Sequence, residues 1–349
     1  MSQTPRVHVV ILNWNGWRDT LECLESLFRQ SYDNYQVVVC DNDSQDGSIE
    51  KIQSWANGDL PAPDVSGSPL ARLSQPAIRK PLQTVLLDRH AAESCGPEYE
   101  NVPLVLIRTG GNLGFAGGNN VGLRFVLRQS SGDFVWVLNN DTVVEPDALT
   151  HMVQHSLTLA QSGTPNTCGS LVCFYDDPKV IQALGGSRFN RWTGIASQTL
   201  GRFLPLDSTI DHGSVQSQLD YITGCSWLLP LDFLKTVGLM EERYFLYYEE
   251  IDWTLRSGGR YVNTYSPQAL VYHKEGSSIG SKTLKRGASM LSEFYMARNK
   301  FRVAAKFFPV SLPVVFVFTM LQAANRLRQR EPKKAWQLFK VALGKQNYP

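Results

Sequence analysis

Three groups of amide and carboxylate side chains follow short apolar runs in the first half of the sequence. They are Asn13-Trp14-Asn15, Asp41-Asn42-Asp43 and Asn139-Asn140-Asp141. Each apolar run is typical of a buried strand, and the C-terminal ends of parallel strands lie at one sheet edge, where α/β proteins bind ligands. One polar strand end is ordinary turn chemistry, whereas three that converge indicate a site. Oxygen and amide ligands suit a hard divalent cation, which in turn suits a diphosphate.

The densest acidic patch of the sequence is bracketed by aromatic residues. It reads Tyr247-Tyr248-Glu249-Glu250-Ile251-Asp252-Trp253. Carboxylates this close together would repel one another at a surface without adding stability. Packed between apolar rings, at least one should have a raised pKa and could serve as a general base. The alternative is a solvated helix start, because acidic residues favour helix N-termini; the flanking Phe245 and Leu246 favour the functional interpretation.

Two histidine patterns are candidates for metal binding. His273 follows a predicted strand at 269–272 and would complete a site with Asp141 if the fold brings the two together. His151 and His155 stand four residues apart on a predicted helix, a spacing that can bind zinc. Because no third ligand of matching type is near this pair in the sequence, we favour a solvated helix face there.

A glycine-rich segment, GGNLGFAGGNN at 110–120, opens a predicted helix at 119–129. It has neither the GxGxxG spacing of a dinucleotide fingerprint nor the GKS or GKT of a phosphate-binding loop. Its glycines would let the main chain approach a ligand closely, and the helix N-terminus offers free N–H groups. A tight strand-to-helix turn is the alternative.

The elements that must position these residues alternate between strands and helices. Past residue 150, a helix is predicted at 245–256 and short strands at 261–265 and 269–272. Before it, strands are predicted at 7–12, 35–40, 103–107 and 134–138, and helices at 19–30, 48–55 and 119–129. This order predicts an α/β fold, with a Rossmann-like, mostly parallel twisted sheet flanked by helices and joined by right-handed crossovers. Residues 57–101, rich in Pro, Gly and Ser, are interpreted as a surface insertion with a short strand at 83–87.

Composition narrows the class of protein. Hydrophobic residues make up 43% and charged residues 19% of 349, as in folded globular proteins, and the net charge of +2 is too small to indicate nucleic-acid binding. Six cysteines form no CxxC pair, so we expect reduced core thiols. No secretory leader pattern opens the chain, and a cytoplasmic protein is expected.

Basic residues crowd the last part of the chain. A basic amphipathic helix is predicted at 293–308, and 307–321 is strongly apolar yet shorter than the ~20 residues of a bilayer crossing. The apolar stretch is flanked by Lys300, Arg302 and Lys306 before it and Arg326, Arg328, Arg330, Lys333 and Lys334 after it. This pattern favours lying in an anionic membrane interface over crossing it. Burial as a core helix or in a homodimer is the alternative.

Taken together, seven segments between 7 and 278 resemble a family 2 glycosyltransferase of the GT-A fold, in the branch of bacterial rhamnosyltransferases of cell-surface polysaccharide synthesis. The segments are VVILNWNG, VVVCDNDSQDGS, NLGFAGGNNVG, VLNNDT, ITGCSWLLP, YFLYYEEIDWTLR and YHKEGSS. The resemblance extends to the basic and hydrophobic tail, which is similar to the family's membrane-associating segment.

The resemblance implies roles for particular residues. Asp141 would bind Mg²⁺ or Mn²⁺ bridging the diphosphate, and Asn139 stands where the family has the first Asp of its D-x-D motif, which removes one negative ligand. His273 would be the later ligand or a diphosphate contact. Glu250 stands where the family's catalytic base is usually Asp; Glu249 remains a rival. Residues implied to support the catalytic helix or to hold the nucleotide and sugar are Asp252, Asn13, Asp41, Asn42, Asn112, Gly114, Gly118, Asn119 and Asn140. From the sequence alone, Trp14 could flank a ring of the nucleotide or be a half-buried packing aromatic, and both alternatives stay open.

The implied activity is an inverting transfer of a sugar, foremost L-rhamnose from dTDP-rhamnose, to a hydroxyl of a saccharide or lipid-linked saccharide. The implied enzyme is peripheral on the inner face of the cell membrane. Residues 1–150 would bind the nucleotide sugar, 151–285 would form the acceptor-binding and catalytic half of the same domain, and 286–349 the helical tail. Two alternatives stay open. A nucleotide-sugar-binding module without turnover is suggested by Asn139, and a nucleotidyltransferase is the third interpretation.

Overall fold

The computed structural model describes residues 4–129, 131–274, 289–345 and 347–348. Residues 275–278, the end of the YHKEGSS segment, lie outside the described residues. The strands are β1 (Val7–Asn13), β2 (Tyr35–Asp41), β3 (Thr84–Asp88), β4 (Leu104–Arg108), β5 (Phe134–Asn139), β6 (Thr142–Val144), β7 (Asn166–Phe174), β8 (Ile181–Leu184), β9 (Gly186–Asn190), β10 (Ile195–Thr199), β11 (Tyr221–Ile222), β12 (Ser226–Pro230) and β13 (Val262–His273). The helices are α1 (Trp17–Leu27), α2 (Ser48–Asn57), α3 (Ala71–Ser74), α4 (Arg89–Ser94), α5 (Gly114–Arg128), α6 (Ala148–Gln161), α7 (His212–Ser217), α8 (Leu231–Val237), α9 (Glu249–Ser257), α10 (Met290–Phe307), α11 (Leu312–Arg328) and α12 (Pro332–Ala342).

The main sheet has the strand order β3-β4-β2-β1-β5-β12-β7-β13-β6, with β8 paired to β7. Strands β3, β4, β2, β1 and β5 are parallel, whereas β12 runs antiparallel to both β5 and β7. Because β13 is parallel to β7, the strands β1, β2, β5, β7 and β13 all end at the same edge. The predicted α/β architecture with a mostly parallel sheet is confirmed.

Both faces of the sheet are covered, as the continuous apolar runs predict. Val10 and Val38 pack into the core on one face, and Val9 and Val37 into the core on the other. Helices α1 and α5 lie against these strands, so the polar residues at the strand ends are held on a closely packed base.

Several element bounds differ from the sequence-based predictions. Helix α5 begins at Gly114, five residues earlier than predicted, so most of the glycine-rich segment is helical. Helix α9 begins only at Glu249, because Phe245, Tyr247 and Tyr248 have φ angles of 65°, 67° and 76° and cannot continue a right-handed helix. The two strands predicted at 261–265 and 269–272 form the single strand β13, with a register shift between Ser266 and Leu270.

Residues 57–101 supply the edge of the main sheet. Their strand β3 pairs in parallel with β4, and Leu87 and Ala92 are buried in the core. The short strand predicted at 83–87 therefore exists, shifted by one residue.

Helices α10, α11 and α12 pack around a small apolar core of their own, formed by Phe294, Ala297, Ala323, Leu338 and Val341. The stretch Pro309–Arg328 has a mean hydropathy of 1.4 and, among the described residues, is the one helical stretch long and apolar enough to cross a membrane. Only 22% of it is buried. Core helices of soluble proteins can have the same length and hydropathy, so these two properties alone do not identify a membrane span.

Candidate functional site

Asn13 is the centre of a buried hydrogen-bond network at the sheet edge. Its Nδ2 donates to Asp41 Oδ1 at 2.7 Å, and its Oδ1 accepts from Thr20 Oγ1 at 2.8 Å. Asn140 Nδ2 donates to the same Thr20 hydroxyl at 3.0 Å. Strand pairing sets Asn13 opposite Asp41 and Leu12 opposite Asn139. The predicted convergence of the three strand ends is therefore a feature of the structure, and half-buried Trp14 follows directly at this edge.

Asn42 ties the end of β2 to the start of α5. Its Nδ2 donates to Asn112 Oδ1 at 3.1 Å and to Gly114 O at 3.3 Å, and its Oδ1 accepts from Leu113 N at 2.9 Å. With donors and acceptor engaged in this way, the Asn42 amide shapes the corner of the site.

The predicted sugar-binding residues lie at this same corner. Asn112 is exposed, whereas Gly114, Gly118 and Asn119 are buried. A Cβ atom on Gly118 would approach Leu12 Cδ1 to 2.4 Å, so glycine there allows close contact between α5 and β1. The helix packing explains Gly118 without a ligand, and its sugar-binding role stays a prediction.

Asp141 and His273 meet because β5 and β13 end at the same edge. His273 Nε2 lies 3.2 Å from Asp141 Oδ1, and Asn139 Nδ2 lies 3.5 Å from the same ring nitrogen. His273 Nδ1 is 2.8 Å from Gln182 Oε1 on β8. Since an amide oxygen only accepts, Nδ1 carries the proton of this bond, which turns Nε2 toward the carboxylate.

This arrangement fits a divalent cation. A neutral imidazole whose Nδ1–H is held by an amide oxygen presents its Nε2 lone pair, the usual state of a metal-bound histidine. The Nε2 lone pair of His273 and the carboxylate oxygen of Asp141 would repel each other unless a proton or a metal ion lay between the two atoms. Nevertheless, the described residues contain no group of three or more His, Cys, Asp or Glu side chains arranged for a metal. A bound ion would take Asp141 and His273 from this chain, with amide Asn139 beside them.

Lys274, the residue after His273, connects this strand end to α1. Its main-chain N–H donates to Asp141 O at 3.0 Å, and its Nζ donates to Asp19 Oδ1 and Glu22 Oε2, each at 2.6 Å. Burial alone would lower the pKa of Lys274, but these two carboxylates outweigh it and raise that pKa. The ammonium is charged at every physiological pH.

Helix α9 is fixed by Trp253, which is fully buried. Its ring packs edge-on against Trp227 of β12 and Phe233 of α8, at centroid distances of 5.3 and 5.2 Å. Asp252 is also fully buried; it accepts from Arg256 Nε and Lys306 Nζ, each at 2.5 Å. This charge network anchors the helix, in agreement with the supporting role predicted for Asp252.

Glu249 and Glu250 begin α9 in different surroundings. Burial, and then the charge of Glu250, raise the pKa of Glu249, whose Oε2 has no hydrogen-bond partner among the described residues. Burial also raises the pKa of Glu250, but Glu250 is only partly buried, whereas Glu249 is 2% exposed. Main-chain N–H groups oppose the shift at both residues, those of Glu249 and Tyr247 at Glu249 and those of Glu250 and Gly224 at Glu250. When the pair carries one proton, Glu249 therefore holds it and Glu250 is the carboxylate.

The turn before β12 links Glu250 to the metal-binding side of the site. A Cβ atom on Gly224 would lie 2.3 Å from Glu250 Oε1, and the next residue, Cys225, accepts at its carbonyl from Asn139 N at 2.9 Å. Burial raises the pKa of the Cys225 thiol to about 12, and the charges of Asp141 and Glu250 both add to this effect. The carboxylates of Asp141 and Glu250 thus both lie close to the turn at Gly224 and Cys225.

A cavity of about 460 Å³ opens beside α9. Ile251 and Thr254 of α9, Tyr221 of β11 and the exposed Trp192 are among the residues that line it. Ile251, one of its lining residues, directly follows Glu250 in α9.

His151 and His155, the other histidine pair, lie on α6. Burial lowers the pKa of His155. The pair belongs to no metal-binding group among the described residues. Both side chains are only partly exposed, so the predicted solvated helix face is wrong in its degree of solvation.

Sequence reasoning missed several residues that shape this site, notably Thr20, Gln182, Gly224 and Lys274. Lys274 had a signal, since it follows His273 directly. Gly224 lies in the ITGCSWLLP segment, but its residue type gave no role of its own. Gln182 had no signal, because it reaches the site through the pairing of strands distant in the sequence.

Comparison with known proteins supports the resemblance in part. Residues 8–65 match the model of the family described as glycosyl transferase family 2. The low-salt glycan biosynthesis hexosyltransferase Agl10 of Haloferax volcanii is 26% identical over 159 residues, which are 45% of this chain and 47% of that protein. The match therefore spans about half the length of this relative.

Two solved structures share the fold. A mannosyltransferase from Pyrobaculum calidifontis in complex with GDP-Man and Mn²⁺ superimposes with a TM-score of 0.51 at 15% identity, over 100% of this chain and 78% of that chain. GalNAc-T7 with UDP, GalNAc and Mn²⁺ gives 0.52 at 14% identity, over 87% and 48%. At such identities the likeness concerns the fold alone, and the predicted GT-A architecture is confirmed.

Proposed function

We propose that the protein is a family 2-like glycosyltransferase that transfers a hexose from a nucleoside diphosphate to an acceptor hydroxyl with inversion. The observation that carries this proposal is the turn at Gly224 and Cys225, which contacts Glu250 on one side and the Asn139 strand end on the other. Donor-binding groups and a base are thus neighbours, as a single displacement requires.

The donor would lie along the sheet edge. Asp41 keeps acceptor capacity beyond its bonds from Asn13 and Ser44, so it suits a base or ribose donor group, with Trp14 beside the ring. Asn112, the exposed member of the predicted sugar contacts, would lie nearest the sugar. The diphosphate would lie at Asp141, whose main-chain carbonyl accepts from Lys274 N; the Lys274 ammonium group is itself held by Asp19 and Glu22.

Asp141 and His273 would hold Mg²⁺ or Mn²⁺, with Asn139 as a weaker neutral partner. A bound cation would neutralise charge that grows on the departing diphosphate. Replacement of an Asp by Asn139 leaves one formal charge fewer, which predicts weaker affinity for the metal.

Glu250 is the proposed base, in preference to Glu249. It takes the proton of the acceptor hydroxyl while that oxygen forms its bond to the anomeric carbon. The bond from this carbon to the diphosphate oxygen breaks on the opposite side, and its electron pair leaves with the nucleoside diphosphate. The N–H groups of Glu250 and Gly224 favour the ionised form that this role needs.

The first donor to test is dTDP-L-rhamnose, since the rhamnosyltransferase-like segments include all three strand-end motifs and the acidic helix. Rhamnosyl transfer is itself a hexosyl transfer. The acceptor would be a saccharide or lipid-linked saccharide. The cavity at Tyr221 and Trp192 is the candidate acceptor site, because residues of α9 that follow Glu250, Ile251 and Thr254, line it.

The C-terminal helices would bind the cytoplasmic face of the membrane. One side of α11 packs inward through Val315, Thr319 and Ala323, while Val317 and Leu321 on the other side are 56% and 59% exposed. An apolar stripe with cations at its end suits an anionic interface. A homodimer that covers this stripe is the alternative outcome.

The experiment that tests the proposal is a donor screen for released nucleoside diphosphate with Mn²⁺ and a saccharide acceptor. Turnover with a hexose donor is expected for the wild type, and Glu250→Gln should lose most of it, about 10²–10⁴-fold, because the general base is gone. Donor binding by Glu250→Gln should persist. Donor binding by the wild type without any turnover would favour the binding module instead, and pyrophosphate release from a sugar phosphate and a nucleoside triphosphate would favour the nucleotidyltransferase.

A further inference from the structure

Residues 243–248, which lead into α9, have an unfavourable main-chain conformation. Phe245, Tyr247 and Tyr248 all have positive φ, a region that side chains with a Cβ rarely adopt. Such a conformation is strained and persists only where the surrounding structure holds it in place. Tyr248 directly precedes Glu249, so whatever enforces this conformation also sets the start of α9.

Asn299 of α10 is the main contact that enforces it. Its side chain is fully buried, and its Nδ2 donates to the carbonyls of Tyr244 at 2.9 Å, Leu246 at 2.8 Å and Tyr247 at 2.8 Å. An amide nitrogen has two hydrogens, so at least one hydrogen is shared between two of these three carbonyls. One side chain thereby fixes three of the main-chain carbonyls that turn the chain into α9.

Neighbouring cations on α10 reinforce this contact. Arg298 Nη2 donates to Tyr244 O at 2.6 Å and to Arg243 O at 3.1 Å, and Arg302 also donates to Arg243 O. Lys306, further along α10, holds Asp252 in the first turn of α9.

The opposite side of the segment rests on the start of α5. Phe245 O accepts from Phe115 N at 2.6 Å, and a Cβ atom on Gly114 would come within 2.3 Å of the same oxygen. The segment is therefore held between the donor side of the site and α10.

We propose that Asn299 is a positioning residue for Glu250: its hydrogen bonds to the 244–247 carbonyls hold α9 where the base meets the acceptor hydroxyl. This rests on the proposed function, because the base role of Glu250 does. Asn299 acts through the main chain and does not itself touch a substrate.

The test compares the same substitution at two buried asparagines. Asn299→Ser removes most of the donors to the 244–247 carbonyls. Asn166→Ser is the matched control. Asn166, the first residue of β7, is 4% exposed, and its Nδ2 donates to the carbonyls of Ser156 and Thr164. Both changes should lower stability. Only Asn299→Ser should lower kcat, by about 10- to 100-fold, as expected for a displaced catalytic group, with the donor KM unchanged.

A double variant separates positioning from a general structural role. If Asn299 acts only through Glu250, then Asn299→Ser combined with Glu250→Gln should have the kcat of Glu250→Gln alone. Additive losses, a kcat for Asn299→Ser equal to that of Asn166→Ser, or a raised donor KM with normal kcat would each overturn the inference.

The outcomes also separate this inference from the proposed function. Wild-type transfer that vanishes in Glu250→Gln but survives in Asn299→Ser contradicts the inference alone, whereas full activity of Glu250→Gln contradicts the proposed function. If Asn299→Ser does not fold, Arg298→Lys loses the Nη2 bonds to the Arg243 and Tyr244 carbonyls and is judged by the same kcat, KM and double-variant readouts.

Discussion

Adjacent glutamates at one helix start can perform different tasks when their surroundings differ. Glu249 is buried with an oxygen that has no partner among the described residues, and the charge of Glu250 further disfavours its ionisation. Main-chain N–H groups reach both carboxyl groups, but Glu250 is only partly buried. A proton shared by the pair therefore belongs on Glu249, and the pH response of each residue should differ.

Glu249→Gln should stabilise the protein at neutral pH. A carboxyl group whose pKa is raised by folding keeps its proton in the folded state while the unfolded chain loses it, so stability falls as pH rises between the two pKa values. Each unit of pKa shift corresponds to about 1.4 kcal/mol. The unfolding free energy of Glu249→Gln should thus match the wild type below pH 4.5, the ordinary value, and exceed it increasingly above that pH.

Urea unfolding across a pH series measures this difference. Glu98→Gln, at an exposed position, is the control and should parallel the wild type throughout. An unfolding free energy for Glu249→Gln that also parallels the wild type would contradict the buried, protonated state of Glu249.

Gln182 should matter for metal binding although it would not contact the ion. Its Oε1 accepts from His273 Nδ1 at 2.8 Å and so orients the ring. Loss of such a partner typically weakens metal affinity about 10- to 100-fold. Gln182→Leu should therefore show weaker Mn²⁺ binding in the presence of a nucleoside diphosphate, measured by titration calorimetry.

The control for this prediction is Gln154→Leu, at an exposed position on α6. Equal Mn²⁺ affinity of Gln182→Leu and Gln154→Leu would exclude His273 as an oriented ligand.

At the scale of elements, the close packing of α5 against β1 and β2 sets the position of the sheet edge. A Cβ atom on Gly122 would lie 2.8 Å from both Cys40 Sγ and Val10 Cγ1. Gly122→Ala should destabilise the protein by about 1–3 kcal/mol, the usual effect of overpacking, despite the better helix propensity of alanine.

Chemical denaturation can compare this variant with Gly111→Ala. Gly111 has open space around the position of a Cβ atom, so its substitution should be tolerated. If both alanine variants unfold at the same urea concentration, the packing role of Gly122 is wrong.

Some elements could be predicted from the sequence, and others could not. β-branched runs such as those of β1 and β2 identified buried strands, and the amides and carboxylates after them identified the ligand-binding edge. The start of α9 was not predictable, because aromatic residues such as Phe245 and Tyr247 rarely have positive φ. Nor was the contribution of Asn299, since its hydrogen bonds join segments more than 50 residues apart.

At the scale of the whole molecule, the exposed stripe of α11 should govern attachment to membranes. Val317→Glu places a charge in this stripe and removes a buried apolar contact with lipid, which should weaken binding to vesicles containing phosphatidylglycerol about tenfold or more. Val262→Glu is a matched control, because Val262 is 45% exposed and lies at the start of β13, the opposite end of that strand from His273.

Vesicle flotation at low and high salt measures this effect. The wild type and Val262→Glu should float with anionic vesicles and be partly released by salt. Equal flotation of Val317→Glu and Val262→Glu would contradict membrane contact through α11, and light scattering that shows a dimer lost in Val317→Glu would favour the homodimer.

The account depends most on one cleft shared by the strand ends and α9. A crystal structure with dTDP and Mn²⁺ tests this directly, because manganese can be located by its anomalous scattering. We expect the manganese peak between Asp141 and His273, the diphosphate against it, and the Glu250 carboxyl group facing the space where the sugar would lie. Manganese and nucleotide bound away from Asp141, or a Glu250 carboxyl group outside the cleft that holds them, would contradict the account.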